Sequence, residues 1–429
     1  MRHSSAPSSL CILIPDGGFR HTVKVVRSLA RSSLAPSVSV HVCAEDPPPR
    51  SLLLSRHVAA VHPLANDLTD EEHVQAVLAI AKRIGADVLF PLSVHERMRF
   101  ARHQREVEQQ VALVPGSDPE TLAITRDKWK LATFMAAHNI PHPPTISLEP
   151  VSTLPERLEA VPFPVVVKTT IGENGVHIFR FEEPSEVLTF AETKGETWRE
   201  YMVQSYIEGS DIDYSVLAVD GHVLAYTIQQ GMVPSEHEEF GPPSLIEFVH
   251  DPLVEAVGHK LIQDLGLSGL AHVDLRYDPE RASVYVLEIN TRIWGSVLGS
   301  LRAGVNFSDL ACRVALERPI SDVPYSEIQY AVGEPSLGRV REALRHGIPL
   351  RQSCMAFGVD DPLPDLLHLY RTNREWLSTY WRGEEKQQEG SPAAEGQTPR
   401  RQGRGDEHPQ PLEPVAEKEA GEPSVVRSP

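Results

Sequence analysis

Val284-Tyr285-Val286-Leu287-Glu288-Ile289-Asn290-Thr291-Arg292 is the stretch on which the reading of this chain turns, together with His272-Val273-Asp274-Leu275-Arg276 shortly before it. Side chains alternate faces along a strand, so Asp274 is set apart from apolar Val273 and Leu275, while Glu288 and Asn290, two apart, share a face of the second run. Two carboxylates and an amide suit a hard divalent cation, and Mg2+ fills its remaining octahedral positions with water and substrate phosphates. Arg292 lies two residues beyond Asn290, on the same face if the strand continues, where its planar fork can hold phosphate or carboxylate. The same residues also fit a solvated strand face with chance acids.

Upstream, Val165-Val166-Val167-Lys168-Thr169-Thr170-Ile171-Gly172-Glu173-Asn174-Gly175-Val176-His177 puts a lysine at the end of a β-branched run, before a glycine-bearing turn and a second run over 178–181. A hairpin tip that offers backbone N–H groups beside a lysine can cover the phosphates of a nucleotide. It is not a Walker A loop, because the lysine precedes the glycines and sits on the strand. Taken alone, the pattern is equally that of an ordinary hairpin.

In combination these elements resemble the ATP-grasp superfamily over residues 121–316, and within it the carbamoyl-phosphate-synthetase-like and biotin-carboxylase-like branch. The branch signature Glu-[Ile/Met]-Asn-x-Arg is met by Glu288-Ile289-Asn290-Thr291-Arg292. The resemblance implies metal ligation by Asp274, Glu288 and Asn290, with Arg292 steadying the transferred phosphoryl group. Lys128, in Thr125-Arg126-Asp127-Lys128-Trp129-Lys130, matches the family's first ATP-contacting lysine, and Lys168 the second, with Gly172 and Gly175 in the phosphate-covering loop. Gln204 and the backbone of Ser205, Tyr206 and Ile207 match the linker that reads adenine, and Asp211 the ribose-binding acid. Glutamate is common where Gln204 stands, yet glutamine still accepts a hydrogen bond through its carbonyl. Asn174 occupies a loop position that is often serine.

The length of 429 residues implies two to three domains. A formal net charge of −18 argues against nucleic acid or an anionic membrane as principal partner. It leaves room for a local basic pocket. Cys11, Cys43, Cys312 and Cys354 form no Cys-x-x-Cys pair, so neither a zinc site nor a disulfide scaffold is indicated. No apolar run approaches the roughly 18 residues of a membrane span. The run over 10–14 ends in Pro15-Asp16-Gly17-Gly18, without the long core of a signal peptide, and the cytoplasm follows as the default location.

Strand and helix alternate over the first 115 residues: strands at 10–14, 38–42, 58–61, 87–92 and 111–114, helices at 21–31, 69–84 and 94–109. Such alternation implies a parallel, Rossmann-like sheet. Gly-x-Gly-x-x-Gly is absent, which argues against NAD. By resemblance, residues 1–118 are a pre-ATP-grasp domain in which the Asp16-Gly17-Gly18 backbone could meet substrate. Residues 119–316 are the two-lobed α+β ATP-grasp domain, with strands at 165–168, 178–181, 201–207, 214–219 and 222–229, a hairpin turn at Asp220-Gly221 and a helix at 252–265.

Residues 317–382 form a C-terminal appendage with a helix at 338–345 and aromatic anchors Tyr370, Trp376, Tyr380 and Trp381 expected to pack on the body. Beyond Gly383 a polar, proline-rich composition reads as a disordered tail. The acidic segment 232–248, with Glu236, His237, Glu238 and Glu239, reads as a solvated or substrate-facing loop.

The resemblance implies an ADP-forming carboxylate-amine ligase that uses ATP with Mg2+, or Mn2+ in its place, on small-molecule carboxylate and amine substrates. Competing readings are a bicarbonate-activating enzyme of the carboxylase or carbamoyl-phosphate type, and an ATP-binding regulatory protein without turnover. The reading leaves room for a homodimer.

Overall fold

The structure is a computed structural model and describes residues 9–149, 151–172, 177–194, 200–233 and 241–371. Gly175 and Asn174, His237 with its acidic neighbours, the anchors Trp376, Tyr380 and Trp381, and the tail lie outside the described residues.

Leu10, Ile12, Leu13 and Ile14 are buried on both faces of β1 (Leu10–Ile14), as a central parallel strand requires. Parallel β2 (Val38–Glu45) and β3 (Val58–Leu64) lie on one side of it, β4 (Val88–Leu89) and β5 (Ala112–Leu113) on the other, in the order β3-β2-β1-β4-β5. The connecting helices are α1 (Thr22–Leu29), α2 (Arg50–Leu54), α3 (Asp70–Ile84), α4 (Val94–Arg102) and α5 (Gln104–Glu108). A capping box opens α3, where Thr69 and Glu72 satisfy each other's backbone N–H groups, and Gly85 at φ 66° closes it. The single polar helix expected over 94–109 is broken, because His103 leaves the helical region at φ −114°, ψ 16°.

Gly17 has a packing reason. A Cβ there would stand 2.7 Å from the Cys43 carbonyl oxygen, to which its own N–H donates at 2.7 Å. The Asp16 carboxylate accepts from the Ser93 N–H at 2.6 Å, so this turn is tied into the sheet.

Next come α6 (Pro119–Arg126), α7 (Lys128–Ala137), β6 (Thr145–Ser147), α8 (Leu154–Leu158), β7 (Val165–Thr169), β8 (Ile178–Phe181), α9 (Pro184–Lys194) and β9 (Tyr201–Ser205). The four strands form an antiparallel sheet, β6-β9-β7-β8, whose core joins Val165, Val167 and Val203 to Leu154, Leu158 and Val187. β9 stops at Ser205, two residues short of expectation, because the Ser205 and Tyr206 N–H groups turn to the carbonyls of Pro144 and Pro164.

The third sheet contains β10 (Ser210–Val219), β11 (His222–Val233), β12 (Leu245–Val249), β13 (Gly269–Asp278), β14 (Ser283–Asn290) and β15 (Gln329–Ala331), in the order β14-β13-β10-β11-β12-β15. Asp220 and Gly221, at φ 48° and 76°, make the expected β10–β11 hairpin turn. One face of the sheet is covered by α7 and α10 (Pro252–Asp264), with Leu131, Met135, Val254 and Leu261 packed on Tyr214, Val273 and Val286. A Cβ on Gly258 would lie 2.8 Å from the Tyr214 ring, so glycine sets how closely α10 approaches.

After α11 (Val297–Ala303) and α12 (Phe307–Ala315), the chain adds β15 to β12 and forms α13 (Leu337–Arg345). It then returns to α1, where Arg27 donates from Nε to Asp361 Oδ2 at 3.1 Å and from Nη2 to Asp365 Oδ1 at 2.8 Å. Tyr370 is 62% exposed, contrary to the expectation that it anchors this region on the body. The four cysteines are free thiols. Among the described residues no helix is long and apolar enough to cross a membrane.

Candidate active site

Antiparallel pairing sets Asp274 opposite Glu288 and His272 opposite Asn290, with a register shift just after Asp274. The Asn290 amide donates from Nδ2 to Asp274 Oδ2 and to Glu288 Oε1, each at 3.1 Å. The three expected metal ligands therefore stand on one face and touch. Burial, reinforced by the Glu288 and Asp213 charges, pushes Asp274 well above the ordinary carboxyl range. Burial would raise Glu288 too, but Lys128, a hydrogen bond from Asp274, Lys168 and Asn290 outweigh it and hold that carboxyl at about 2. Two crowded acids favour a shared positive charge, so the donor set suits a hard divalent cation.

The cation-bearing side is built from two other elements. Asp127 caps α7 by accepting from the Trp129 and Lys130 N–H groups, and the Lys128 N–H donates to the Thr170 carbonyl at 2.8 Å. That fixes Lys128 against the end of β7. Its Nζ donates to the Gly172 carbonyl at 2.8 Å and lies 3.2 Å from Glu288 Oε2. Lys168 on β7 is 6% exposed, and burial lowers it to about 8 despite the raising fields of Glu288 and Asp274. A cavity of about 210 Å³ opens between these parts, lined by Thr125, Arg126, Lys128, Gly172, Glu288 and Asn290 among others.

β14 ends at Asn290, so Arg292 is not carried on its face by alternation as expected. It sits in the following irregular segment, 7% exposed, with Nη1 donating to the Ile293 carbonyl at 3.2 Å, and its field reaches Asp274 and His272.

On β9, Gln204 is 2% exposed. The Thr145 hydroxyl donates to the Pro143 carbonyl at 2.7 Å, so its oxygen is left to accept the Gln204 Nε2–H at 3.0 Å. The Gln204 carbonyl therefore turns the other way, as an acceptor. Of the backbone groups expected to read a base, the Ser205 and Tyr206 N–H groups donate to the Pro144 and Pro164 carbonyls, and the Ile207 carbonyl accepts from Arg276. Asp211, the expected ribose acid, is paired with Arg276.

Arg276 was assigned no role from sequence, yet it organises this corner. Its Nε donates to the Ile207 carbonyl at 3.0 Å, its Nη2 to the Tyr206 hydroxyl at 2.9 Å and its Nη1 to Asp211. Arg180 covers the Tyr206 ring at 4.3 Å. Asp213 was also missed. It receives the Gln229 Nε2–H at 2.8 Å, while Gln229 Oε1 accepts from the Ser296 hydroxyl at 2.8 Å. Burial raises Asp213 to about 7 and lowers neighbouring His272 to about 3. Asp213, His272 and Asp274 could together surround a cation, sharing Asp274 with the first set. The i, i+2 spacing of Asp211 and Asp213 is the signal in the sequence, and it lies ahead of the strand expected from 214.

Residues 125–296 match the family described as the ATP-grasp domain. Carbamoyl-phosphate synthase of Methanobrevibacter smithii is 26% identical over 277 residues, covering 62% of this chain and 72% of that protein. Among solved structures, the biotin carboxylase domain dimer of Hydrogenobacter thermophilus 2-oxoglutarate carboxylase, in complex with MgADP, ADP and bicarbonate, has a TM-score of 0.57 at 16% identity, covering 73% of this chain and 72% of its own. L-amino acid ligase of Bacillus licheniformis has a TM-score of 0.52 at 17% identity, covering 73% of this chain and 75% of its own. At these identities the solved structures establish a common fold.

Proposed function

We propose that this chain, which carries an ATP-grasp domain, is an ADP-forming ligase that joins a small-molecule carboxylate to an amine through an acyl phosphate. The observation behind the reading is the cavity lined by Lys128 from α7 with Glu288 and Asn290 from β14, with Asp274 of β13 bonded to Asn290 and the charge of Lys168 from β7 felt at Glu288. In this reading residues 1–118 supply one wall of the substrate site, 119–316 the nucleotide and catalytic groups, and 317–382 an appendage.

Asp274, Glu288 and Asn290 would hold Mg2+, or Mn2+ in its place, and the ion would neutralise phosphate charge. Lys128 and Lys168 hold phosphate oxygens, with Gly172 beside Lys128. Gln204 offers its carbonyl to a base amino group, and Asp211 lies near the linker where a ribose would sit. The bond from the γ-phosphorus to its bridging oxygen breaks as a substrate carboxylate oxygen takes the phosphoryl group, releasing ADP. The amine then attacks the acyl carbon, loses a proton and expels phosphate. Arg292 faces the developing negative charge. Positioning and charge stabilisation suffice, so no nucleophilic Ser or Cys is required.

ADP and phosphate release, measured across amino acids, bicarbonate and other carboxylates with amines added singly, tests the reading. Amine-dependent release supports the ligase. Bicarbonate-dependent release without an amine supports a carboxyphosphate-forming enzyme instead, and tight ATP binding with no turnover on any substrate supports a regulatory protein.

A further inference from the structure

The cavity that holds Lys128 and Glu288 has a second cation on its wall. Arg126, the last residue of α6, lines it together with Val94, Thr125, Gly172 and Asn290. Its backbone is fixed on both sides. Asp118 caps the start of α6 by accepting from the Glu120 and Thr121 N–H groups, and Asp127, next in sequence, caps α7. The helix packs on α7, β14 and α4, which keeps Arg126 beside the strand of Glu288 and Asn290.

The two cations differ in what they already hold. Lys128 has only 11% of its side chain exposed and is engaged twice, by the Gly172 carbonyl at 2.8 Å and by Glu288 at 3.2 Å. Arg126 is exposed, and among the described residues its guanidinium meets neither a carboxylate nor a carbonyl. An unpaired arginine on an open surface is ordinary, because water satisfies it. Here the other charged residues of the wall, Lys128 and Glu288, are paired with each other, so Arg126 carries the uncompensated charge of the cavity. An anion can take both N–H groups of its planar fork without breaking an existing contact. The composition of the wall says which anion. Gln204, Asp211 and Arg276, which surround the place of a base and ribose, do not line the cavity, whereas Glu288 and Asn290 do. It is the end of the cleft that receives the outer phosphates with their cation.

We propose that Arg126 binds the terminal phosphoryl group of ATP and makes the site prefer ATP to ADP. This rests on the ligase reading for the place of the phosphates, and it requires nothing of the carboxylate or the amine.

The test is calorimetric titration of the full chain, with Mg2+ present, using ADP and the β,γ-imido analogue of ATP, which cannot transfer its phosphoryl group. Arg126→Gln should weaken binding of the analogue ~10-fold or more and leave the Kd for ADP within about twofold of the parent. Arg126→Lys should recover part of the loss, since lysine supplies the charge without the fork. The side chain is exposed, so both variants should melt with the parent. An equal loss for the two nucleotides in Arg126→Gln, or no loss for either, overturns the proposal and leaves the ligase reading standing. A parent protein that binds neither nucleotide overturns both.

Discussion

Lys128 on α7 and Glu288 on β14 are joined across the cleft, Nζ to Oε2 at 3.2 Å. Lys128 helps keep the Glu288 carboxyl charged in the free protein, and an incoming phosphate group and its cation replace one pair by two. Glu288→Gln keeps the shape and the Asn290 contact but removes the charge that would hold the cation. Turnover should fall ~100–1,000-fold, the order seen when a group stabilising transition-state charge is removed, with Tm little changed. A variant within threefold of the parent kcat would end the assignment of Glu288.

Lys168 supplies a pH dependence. Burial lowers it to about 8, so in the free protein it loses its proton as pH rises through that value. A bound polyanion favours the charged lysine, and nucleotide binding must then take up a proton. The Kd for ATP should be flat from pH 6.5 to 7.5 and weaken above pH 8, approaching ~10-fold per unit. Calorimetry at pH 7 and 9 in buffers of different ionisation heat reads both the affinity and the proton uptake. Lys168→Arg should show neither above pH 8, and the same slope in that variant would assign the effect elsewhere. On stability the sign is reversed. A lysine whose folded pKa is depressed penalises the native state below about 8, and the penalty is relieved as pH climbs toward its unfolded value.

Thr145 fixes which end of the Gln204 amide is bonded and which is left to accept. Thr145→Val removes the acceptor for the Gln204 amide, leaving a buried N–H unpaired and the amide free to turn. The KM for ATP should rise ~10-fold, corresponding to about 1.4 kcal/mol, and preference for ATP over GTP should shrink, with kcat nearly constant. Unchanged base preference would show that Gln204 does not read the purine.

Arg276 gathers the Ile207 carbonyl, the Tyr206 hydroxyl and Asp211 with one planar fork. A lysine has a single ammonium centre and cannot reproduce that geometry. Both Arg276→Lys and Arg276→Ala should therefore raise the KM for ATP by ~10–100-fold, with the lysine variant recovering little. Full rescue by lysine would mean that only the charge matters.

What could be read from the sequence was governed by how local each signal is. Two-residue alternation was enough to put Glu288 and Asn290 on one face, and the apolar run of β1 announced a parallel sheet. Alternation failed at Arg292 because β14 ends two residues earlier, and a strand's end depends on its partner's length. β10 starts at Ser210, not at 214, because Asp211 and Asp213 are weak strand formers held in the ladder by pairing with Arg276 and Gln229. Those partners are remote in the chain. His103 breaks a helix through its backbone conformation, which no charge or hydropathy pattern marks.

The tie between Arg27 and Asp361 spans 334 residues. Arg27 leaves the ribosome before its counter-ion, by on the order of half a minute at ~5–20 residues per second. Until then α1 carries a guanidinium destined for burial, at 3% exposure in the finished fold, with nothing to neutralise it. The amino-terminal layer can assemble its strands early yet cannot bury that face of α1 until Asp361 and Asp365 have been made. Vectorial synthesis is thus met by a lock that closes only once residues 361–365 have been made.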